Sequence, residues 1–347
     1  MLDYIIVGGG IAGLCFAEIL RQNNKSFMVI TDKSQNSSVI AAGLYNPVIL
    51  KRFSLPKDSE KHLHFMTSFY NTIEMRLGVR FNYKLPIYRR FTSVEEQNDW
   101  FIAADKPSLT NLLSTNIKSN TYKCIDAPFG FGEVMGTGYV DTATFITSCH
   151  KELIQSHQIQ SYSFDYSDIS IQDGCVSYKD FKSRHIVFAD GFGIRSNPFF
   201  SYLPLDGTKG EILIISAPDL KLDVSINSGI FILPMGNDFY KVGATYEWDD
   251  KTPIPTEKAR LEIINKLEEI LLCDYTVVNH LAGIRPTVKD RKALIGTHPE
   301  YNNVHLLNGL GTRGVMLGPS MANELYQAIE HGHVIARDIN LSRFKYK

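Results

Sequence analysis

The stretch YIIVGGGIAG, residues 4–13, decides the fold of this chain. Its first four residues form an apolar, largely β-branched run, which predicts a strand buried on both faces. Gly8, Gly10 and Gly13 follow as a GxGxxG pattern. In that pattern the first glycine permits a tight turn, the second lets the backbone approach a pyrophosphate, and the third allows close packing of helix on strand. The next residues predict a helix whose N-terminus offers free N–H groups to phosphates.

A second strand and an acidic residue complete this unit. Residues 27–30 are again apolar, and Asp32 follows them, 19 residues after Gly13. An acid at that place accepts the hydroxyls of an adenosine ribose, and its carboxylate disfavours a 2′-phosphate. The order of strand, glycines, helix, strand and acid predicts a Rossmann-like dinucleotide-binding unit rather than a glycine turn without a ligand. It does not distinguish FAD from NAD.

The composition of the whole chain limits its size class and its partners. Its 347 residues predict two domains, or one core with a large insertion. With 36 Lys and Arg against 37 Asp and Glu, the formal net charge is −1, which argues against a general nucleic-acid binder. The five cysteines form no CxxC, and no carboxylate or cysteine constellation accompanies the His-x-His pairs, so we expect neither disulfides nor a metal. The start has no signal-peptide pattern and no apolar run approaches ~20 residues, so we expect a cytoplasmic protein without a membrane span.

Two later stretches are suited to further contacts with the same ligand. Residues 183–193 predict a strand that runs into Ala189-Asp190-Gly191, where small residues permit a close backbone approach. The alternative there is an ordinary strand and turn. Residues 304–317 predict a strand, a glycine-rich loop and the start of a helix. Two helix N-termini of this kind could hold opposite ends of one long cofactor.

A single arginine stands in an apolar, strand-like context at residues 281–287. Burying Arg285 without a partner would be costly, and its planar fork suits a carboxylate. Two interpretations remain open at this point. Arg285 either binds the carboxylate of a ligand or pairs with an internal Asp or Glu.

Together these motifs resemble the D-amino acid oxidase-like family, which includes glycine oxidase, sarcosine oxidase and the D-amino acid dehydrogenases. The motifs occur in the family's order between Leu2 and about His331, and they lie at residues 8–13, 37–44, 138–141, 189–191, 282–290 and 309–314. The resemblance implies an α/β fold in which a Rossmann-like FAD-binding domain is interleaved with a mainly antiparallel β-sheet substrate domain flanked by helices. We expect the FAD-binding domain at residues 1–79, 139–199 and 284–347, and the substrate-binding domain at residues 80–138 and 200–283.

The resemblance also implies which residues bind the cofactor, FAD. We expect noncovalent FAD, because monomeric sarcosine oxidases attach it to a cysteine near the position that Gly283 occupies here. The glycine turn would hold the pyrophosphate, Asp32 the adenosine ribose, and the loop at 311–314 the pyrimidine side of the flavin. The full set expected to bind FAD is Gly8, Gly10, Ile11, Ala12, Gly13, Asp32, Lys33, Ser37, Ser38, Ala42, Gly43, Ala189, Gly191, Gly309, Gly311, Thr312, Arg313 and Gly314.

Two residues are expected to act on the substrate and on oxygen. Arg285 matches the arginine that holds the substrate carboxylate in glycine and D-amino acid oxidases, and Lys241 matches the lysine near the flavin of sarcosine oxidases. A cation there stabilises the negative charge that develops on oxygen. The alternative is a strand lysine that faces solvent. Phe231 stands where many amino acid oxidases place an aromatic residue and lacks a hydroxyl, which disfavours simple glycine or D-alanine as substrates.

The expected partners are a small carboxylate-bearing amine and oxygen or another electron acceptor. The expected function is oxidation of the C–N bond of a small amino acid or N-alkyl amino acid, by hydride transfer to flavin N5 and hydrolysis of the resulting imine. One alternative is oxidative removal of a carboxymethyl group from a modified tRNA wobble uridine, which residues 42–47 and 311–314 favour and the net charge disfavours. The others are oxidation of a 2-hydroxy acid and a flavin-binding module without turnover.

Overall fold

A first β-sheet carries the N-terminal glycine motif. The computed structural model describes residues 1–32, 34 and 37–346. The strands of this sheet are β1 (Leu2–Val7), β2 (Phe27–Ile30), β8 (Ile159–Gln160), β9 (Ile169–Gln172), β10 (Cys175–Tyr178), β11 (Phe181–Phe188), β17 (Leu294–Thr297) and β18 (Val304–Asn308). They follow the path β17-β18-β11-β1-β2-β8, and β10 and then β9 are added beside β11.

The centre of the first sheet is parallel and buried. β1 pairs in parallel with β2 and with β11, and β11 pairs in parallel with β18. The last four residues of β1 and all of β2 are buried, which confirms the prediction of strands covered on both faces. Because parallel strands end at the same edge, the glycine loops that follow β1 and β18 lie at one edge of the sheet.

Helices cover the first sheet. The helices of the described residues are α1 (Ile11–Gln22), α2 (Ser37–Ile40), α3 (Ser59–Leu77), α4 (Val94–Ala104), α5 (Thr142–Gln155), α6 (Glu257–Glu268) and α7 (Gly314–His331). α1 and α7 bury their apolar side chains in one cluster that includes Phe16 and Leu325. α1 is followed by Asn23, and α3 is followed by Gly78, whose φ of 64° is the left-handed conformation that commonly ends a helix.

A second sheet is mainly antiparallel, as the resemblance implies. Its strands are β5 (Ile87–Arg90), β6 (Phe131–Val134), β12 (Thr208–Ser216), β13 (Ser225–Ser228), β14 (Ile230–Gly236), β15 (Phe239–Gly243) and β16 (Thr276–Arg285). Their order is β16-β12-β15-β14-β13-β5-β6, with one parallel pair between β13 and β5. Ile263 and Leu267 of α6 pack into the apolar core beneath this sheet.

The register of the second sheet shows which side chains share a face with Arg285. Gly210 is paired with Gly283, Ile212 with Gly243, and Ile214 with Lys241. Since side chains alternate along a strand, Arg285 shares the face of Gly283, two residues away. Gly210, Ile212, Lys241 and Arg285 therefore belong to the same face.

A third, small sheet joins β3 (Leu44–Tyr45), β7 (Gly138–Val140) and β4 (Asn82–Lys84) in that order. The α/β class with mixed sheets agrees with the expectation from the sequence. The domain boundaries given above stay a prediction. In the described part of the chain, none of the helices has the length and apolarity needed to cross a membrane.

Candidate functional site

A cleft of about 1300 Å³ separates the glycine loops of the first sheet from the face of the second sheet that carries Arg285. It is lined at one end by Asp32 and the loop after β2, and at the other by Arg285 and Phe231. Both glycine loops and the segment from Ser37 to Leu44 also line it. The cleft therefore brings together most of the residues that the sequence singled out.

The first glycine turn is packed too tightly for any side chain. Gly8 has φ 114°, and a Cβ added to it would lie 2.3 Å from the carbonyl oxygen of Ala189. A Cβ added to Gly13 would lie 1.9 Å from the carbonyl oxygen of Gly8. Gly13 does not line the cleft; it provides the close packing of helix on strand that its place in the pattern predicts.

The start of α1 faces the cleft, and its N-cap residue has no side chain with which to cap the helix. Its N-cap is Gly10, which offers no side-chain cap, and the N–H of Ile11 donates to Oγ of Ser38 at 3.3 Å. Gly10, Ile11, Ala12 and Ser38 all line the cleft. The positive end of the helix dipole thus points at the space where a phosphate group would bind.

Asp32 lies at the far end of the cleft and is held in place by hydrogen bonds. Its two carboxylate oxygens accept from the N–H of Ser34 and from Oγ of Ser163, both at 2.8 Å. Burial raises the pKa of Asp32, but these hydrogen bonds outweigh it, so the pKa lies below its usual value. Lys33, expected to bind FAD, lies outside the described residues.

Aromatic residues that the sequence analysis missed line the same end. Tyr162, Phe164 and Tyr166 come from the loop between β8 and β9, and all three line the cleft near Asp32. Apolar rings of this kind suit a flat base such as adenine. In the sequence these aromatic residues alternate with other residues, as in an ordinary strand. Only the fold shows that they face the cleft.

The second glycine loop connects β18 to α7. Gly311, Thr312 and Gly314 line the cleft, and α7 begins without a side-chain cap. Gly309 and Arg313 do not line the cleft. A Cβ on Gly309 would lie 2.6 Å from Val288, and Arg313 donates through Nη2 to Oγ of Ser59 at 3.1 Å, so these two residues hold the loop.

Asp190 links the second loop to the end of β11, and its motif had indicated only the small residues on either side of it. Its carboxylate accepts from Nδ2 of Asn308 and Nδ2 of Asn197, each at 2.9 Å, and from the hydroxyl of Tyr166 at 3.5 Å. Nδ2 of Asn308 also donates to the carbonyl oxygen of Gly191 at 2.9 Å. Burial raises the pKa of Asp190 to about 6, against the lowering effect of these hydrogen bonds.

This raised pKa makes the stability of the protein depend on pH in a predictable direction. The usual value is 3.8, so the contribution of Asp190 to stability is complete below about pH 4 and is lost as the pH rises through 6. Between pH 4 and 7, the free energy of unfolding of the wild type should fall by about 2 kcal/mol relative to that of Asp190→Asn. Urea unfolding of both flavin-free proteins at several pH values measures this difference. A difference that does not change with pH, or that changes in the wild type's favour, contradicts the assignment.

Arg285 ends β16 and reaches the cleft without an acidic partner. Its Nη1 donates to the carbonyl oxygens of Thr245 at 3.2 Å and Lys209 at 3.5 Å, and the ring of Tyr246 lies 4.7 Å from Cζ. In the described part of the chain no carboxylate lies within ion-pairing distance of Arg285, so the interpretation as an internal ion pair is wrong. Burial lowers the pKa of Arg285 in these surroundings.

Lys241 is buried on the face of the second sheet that adjoins the cleft. Only 8% of it is exposed, so the alternative of a solvent-facing lysine is wrong. Its Nζ donates to the carbonyl oxygen of Ala41 at 3.2 Å. Burial lowers the pKa of Lys241, and the negative charge of Asp141 partly opposes that shift. Lys241 does not line the cleft itself; it lies behind the backbone of Ala41, which does.

The second-sheet end of the cleft is mostly apolar. Ile212, Phe231 and Ala244 line it beside Arg285, together with Gly210 and Tyr246, which the sequence analysis missed. Among the cleft-lining residues of this sheet and its loops, only Tyr246 and Arg285 can carry a charge. No group of three or more metal-ligating side chains occurs in the described ranges. This end can therefore bind an anionic group next to an apolar one.

The whole arrangement fits a long dinucleotide such as FAD. The glycine turn leaves backbone space that a Cβ would fill. Two helix N-termini face the same cleft, and in both the N-cap residue makes no side-chain cap. Asp32 and the aromatic residues suit an adenosine at one end. No described residue lining the cleft is a cysteine, so the site fits FAD held without a thioether link.

Comparisons with known proteins agree with this fit. A family model described as FAD dependent oxidoreductase (DAO) matches residues 3–328. Glycine oxidase from Bacillus subtilis is 29% identical over 210 residues, which are 56% of this chain and 56% of that protein. The bifunctional protein MnmC of tRNA 5-methylaminomethyl-2-thiouridine biosynthesis, from Marinobacter nauticus, is 28% identical over 140 residues, 37% of this chain and 22% of that protein. The chain thus spans about half the length, or less, of these curated relatives.

Solved structures share the fold at low sequence identity. The crystal structure of glycine oxidase from Geobacillus kaustophilus superposes with a TM-score of 0.84, covers 99% of both chains and is 17% identical. At that identity the likeness shows the fold alone, over nearly the whole chain.

Proposed function

Because the chain belongs to the DAO family of FAD-dependent oxidoreductases, we propose that it oxidises the C–N bond of a small amino acid or N-alkyl amino acid. The observation that carries this proposal is Arg285, a cation in the cleft with no acidic partner among the described residues, beside the apolar Ile212 and Phe231. A carboxylate on the arginine and an apolar group against these side chains satisfy both features.

The proposed FAD site runs the length of the cleft. Gly8, Gly10 and the start of α1 would hold the pyrophosphate, Asp32 the adenosine ribose, and the loop of Gly311 and Thr312 the flavin end. When bound, FAD supplies the flavin ring that accepts a hydride from the carbon next to nitrogen. The residues of the chain supply binding, orientation and exclusion of water.

Arg285 orients the substrate by one end. A carboxylate bound to its guanidinium is fixed in direction, which leaves the amine and its α-carbon to point along the cleft. The apolar wall beside it removes water from that region. Because no lysine, histidine or carboxylate lines this end among the described residues, the amine should lose its proton before it reacts. The imine product hydrolyses in water.

Anaerobic bleaching of the flavin absorbance tests this function. The purified protein would be mixed without oxygen with glycine, sarcosine, D-amino acids, proline and 2-hydroxy acids. We expect at least one amine with a carboxylate and an apolar group to bleach the flavin, and the matching hydroxy acid to leave it oxidised. Bleaching by hydroxy acids alone would favour their oxidation instead. A flavin that no compound reduces would favour a module without turnover.

We also propose that Lys241 promotes the reaction with oxygen. Its buried Nζ lies beside the backbone of Ala41, and a cation in such a place stabilises negative charge that develops on oxygen. Lys241→Met should slow the oxidation of the reduced enzyme by oxygen by about ten-fold or more, measured by stopped flow. Lys241→Arg is the matched control, since it keeps the charge. An unchanged rate in Lys241→Met means that the lysine is structural or that oxygen is not the acceptor.

A second candidate function acts on a modified tRNA uridine. Its support is the 28% identity to the MnmC protein over 140 residues. Lys51, Arg52 and Lys57 are exposed, but Arg89 pairs with Glu96, and Arg90 with Asp126, which weakens a basic groove. Titration of the protein with tRNA at about 50 and 200 mM salt tests this candidate, because binding through phosphate contacts weakens steeply as the salt concentration rises. Absence of binding at the lower salt concentration excludes this candidate.

A further inference from the structure

We propose that Gly210 and Tyr246 form a clamp on the guanidinium of Arg285 and hold it in the orientation that receives the substrate carboxylate. The clamp rests on the proposed function, since Arg285 is taken there as the carboxylate anchor. Within it, Gly210 and Tyr246 are positioning residues, and Tyr246 also decides how strongly a carboxylate is preferred over an uncharged group of the same shape.

Gly210 forms the floor of the clamp. It lies on β12, opposite Gly283 of β16, on the face that carries Arg285. A Cβ added to Gly210 would lie 2.0 Å from Nη2 and 2.1 Å from Cζ of Arg285. No real side chain tolerates such distances, so only glycine lets the guanidinium lie flat against the strand.

Hydrogen bonds fix one edge of the guanidinium and leave the other available. Nη1 is bound to the carbonyl oxygens of Lys209 and Thr245, so the plane of the fork cannot rotate freely. In the part of the chain that the structure describes, Nε and Nη2 of Arg285 have no protein acceptor. An arginine in this state can give two parallel hydrogen bonds to one carboxylate.

Tyr246 forms the cover of the clamp. Its ring lies 4.7 Å from Cζ of Arg285, in the range of a cation–π contact, and the residue lines the cleft. It is 63% exposed, so one side of the ring shields the guanidinium while much of the rest faces solvent. Its hydroxyl makes no hydrogen bond to any described residue. The ring face, and not the hydroxyl, therefore provides the contact.

This shielding affects ligand selection. A cation with water removed from one face attracts an anion more strongly than a hydrated one does. Phe231 lines the same end of the cleft and has no hydroxyl with which to bind a carboxylate. The preference for a carboxylate then depends on Arg285 and on the two residues that position it.

The test compares benzoate with benzamide, which have the same shape and differ in charge. Both are titrated into the FAD-loaded enzyme, and binding is followed by the change in flavin absorbance. Tyr246→Leu should weaken benzoate binding by about five- to ten-fold and leave benzamide unchanged, while Tyr246→Phe stays within about two-fold of the wild type. For the best amine found, Tyr246→Leu should raise KM more than it lowers kcat. Because Tyr246 is largely exposed, these variants should fold.

Other outcomes would show whether the clamp is wrong or whether Arg285 does not bind the carboxylate at all. If Tyr246→Leu binds benzoate as the wild type does while Arg285→Met does not, the clamp is wrong and the anchor stands. If Tyr246→Phe is as weak as Tyr246→Leu, the hydroxyl is responsible and the stacking role is wrong. If Arg285→Met also binds benzoate normally, or if the wild type does not prefer benzoate over benzamide, the anchor fails and the clamp fails with it.

Discussion

Replacing Arg285 with methionine should lower kcat/KM for the amino acid substrate by about a hundred-fold or more. The substrate carboxylate would lose its only cationic partner among the described residues of the second sheet that line the cleft, and the side chains around it are mostly apolar. Most of the loss should be in KM, since the carboxylate is bound equally in the ground state and the transition state. Steady-state kinetics with the best amine from the bleaching panel measure it.

Arg285→Lys is the matched variant for this prediction. Lysine keeps the positive charge but cannot give two parallel hydrogen bonds, so its activity should lie between those of the wild type and Arg285→Met. The amide of the same substrate, which has no carboxylate, should react equally poorly with all three proteins. Kinetics of Arg285→Met that match the wild type would show that the carboxylate binds elsewhere or that the substrate has none.

Gly13→Ala should produce a protein that does not retain FAD. The new Cβ would lie 1.9 Å from the carbonyl oxygen of Gly8, and neither backbone can move without separating α1 from β1. The glycine turn would then open, and the start of α1 would no longer face the cleft. The ratio of flavin to protein in the purified sample, read from the visible absorbance, should fall to near zero.

Gly314→Ala is the control for this change. Gly314 begins α7 and also lines the cleft, but a Cβ there would make only ordinary contacts, at 3.8 Å from Ile11 and 3.9 Å from Leu310. It should keep its flavin. Circular dichroism distinguishes a folded Gly13→Ala protein without flavin from an unfolded one, and a folded variant with full flavin content would contradict the packing argument.

The first part of the fold followed from local sequence because its signals are short-range. The run Tyr4 to Val7, the glycines and the apolar residues 27–30 each act on neighbours in the chain, and the structure has β1, α1 and β2 where they predict them. The end of α3 at Gly78 also has a local cause, the left-handed backbone that glycine permits. The family followed from the order of such motifs along the chain, and the family model confirms it.

The site was only partly predictable. Several residues expected to bind FAD line the cleft, although binding itself stays a prediction: Gly8, Gly10, Ile11, Ala12, Ser38 and Thr312. The structure adds Asp190, which lies inside the motif at residues 189–191 but was not expected to act itself, and the aromatic residues near Asp32, which carry no motif. It also shows that Arg313 points to Ser59 and Gly309 packs on Val288, since residues within one loop can face in opposite directions.

The sequence by itself determined the dinucleotide-binding unit and the family, because both are recognised from short motifs whose residues lie close together in the chain. Tertiary structure alone decided whether Arg285 has an acidic partner and whether Lys241 is buried. It also decided that Gly210 and Tyr246, distant from Arg285 in sequence, enclose its guanidinium. These contacts depend on the register of β12 against β16 and on the path of the loop after β15, which arise from pairing between segments that local sequence does not specify.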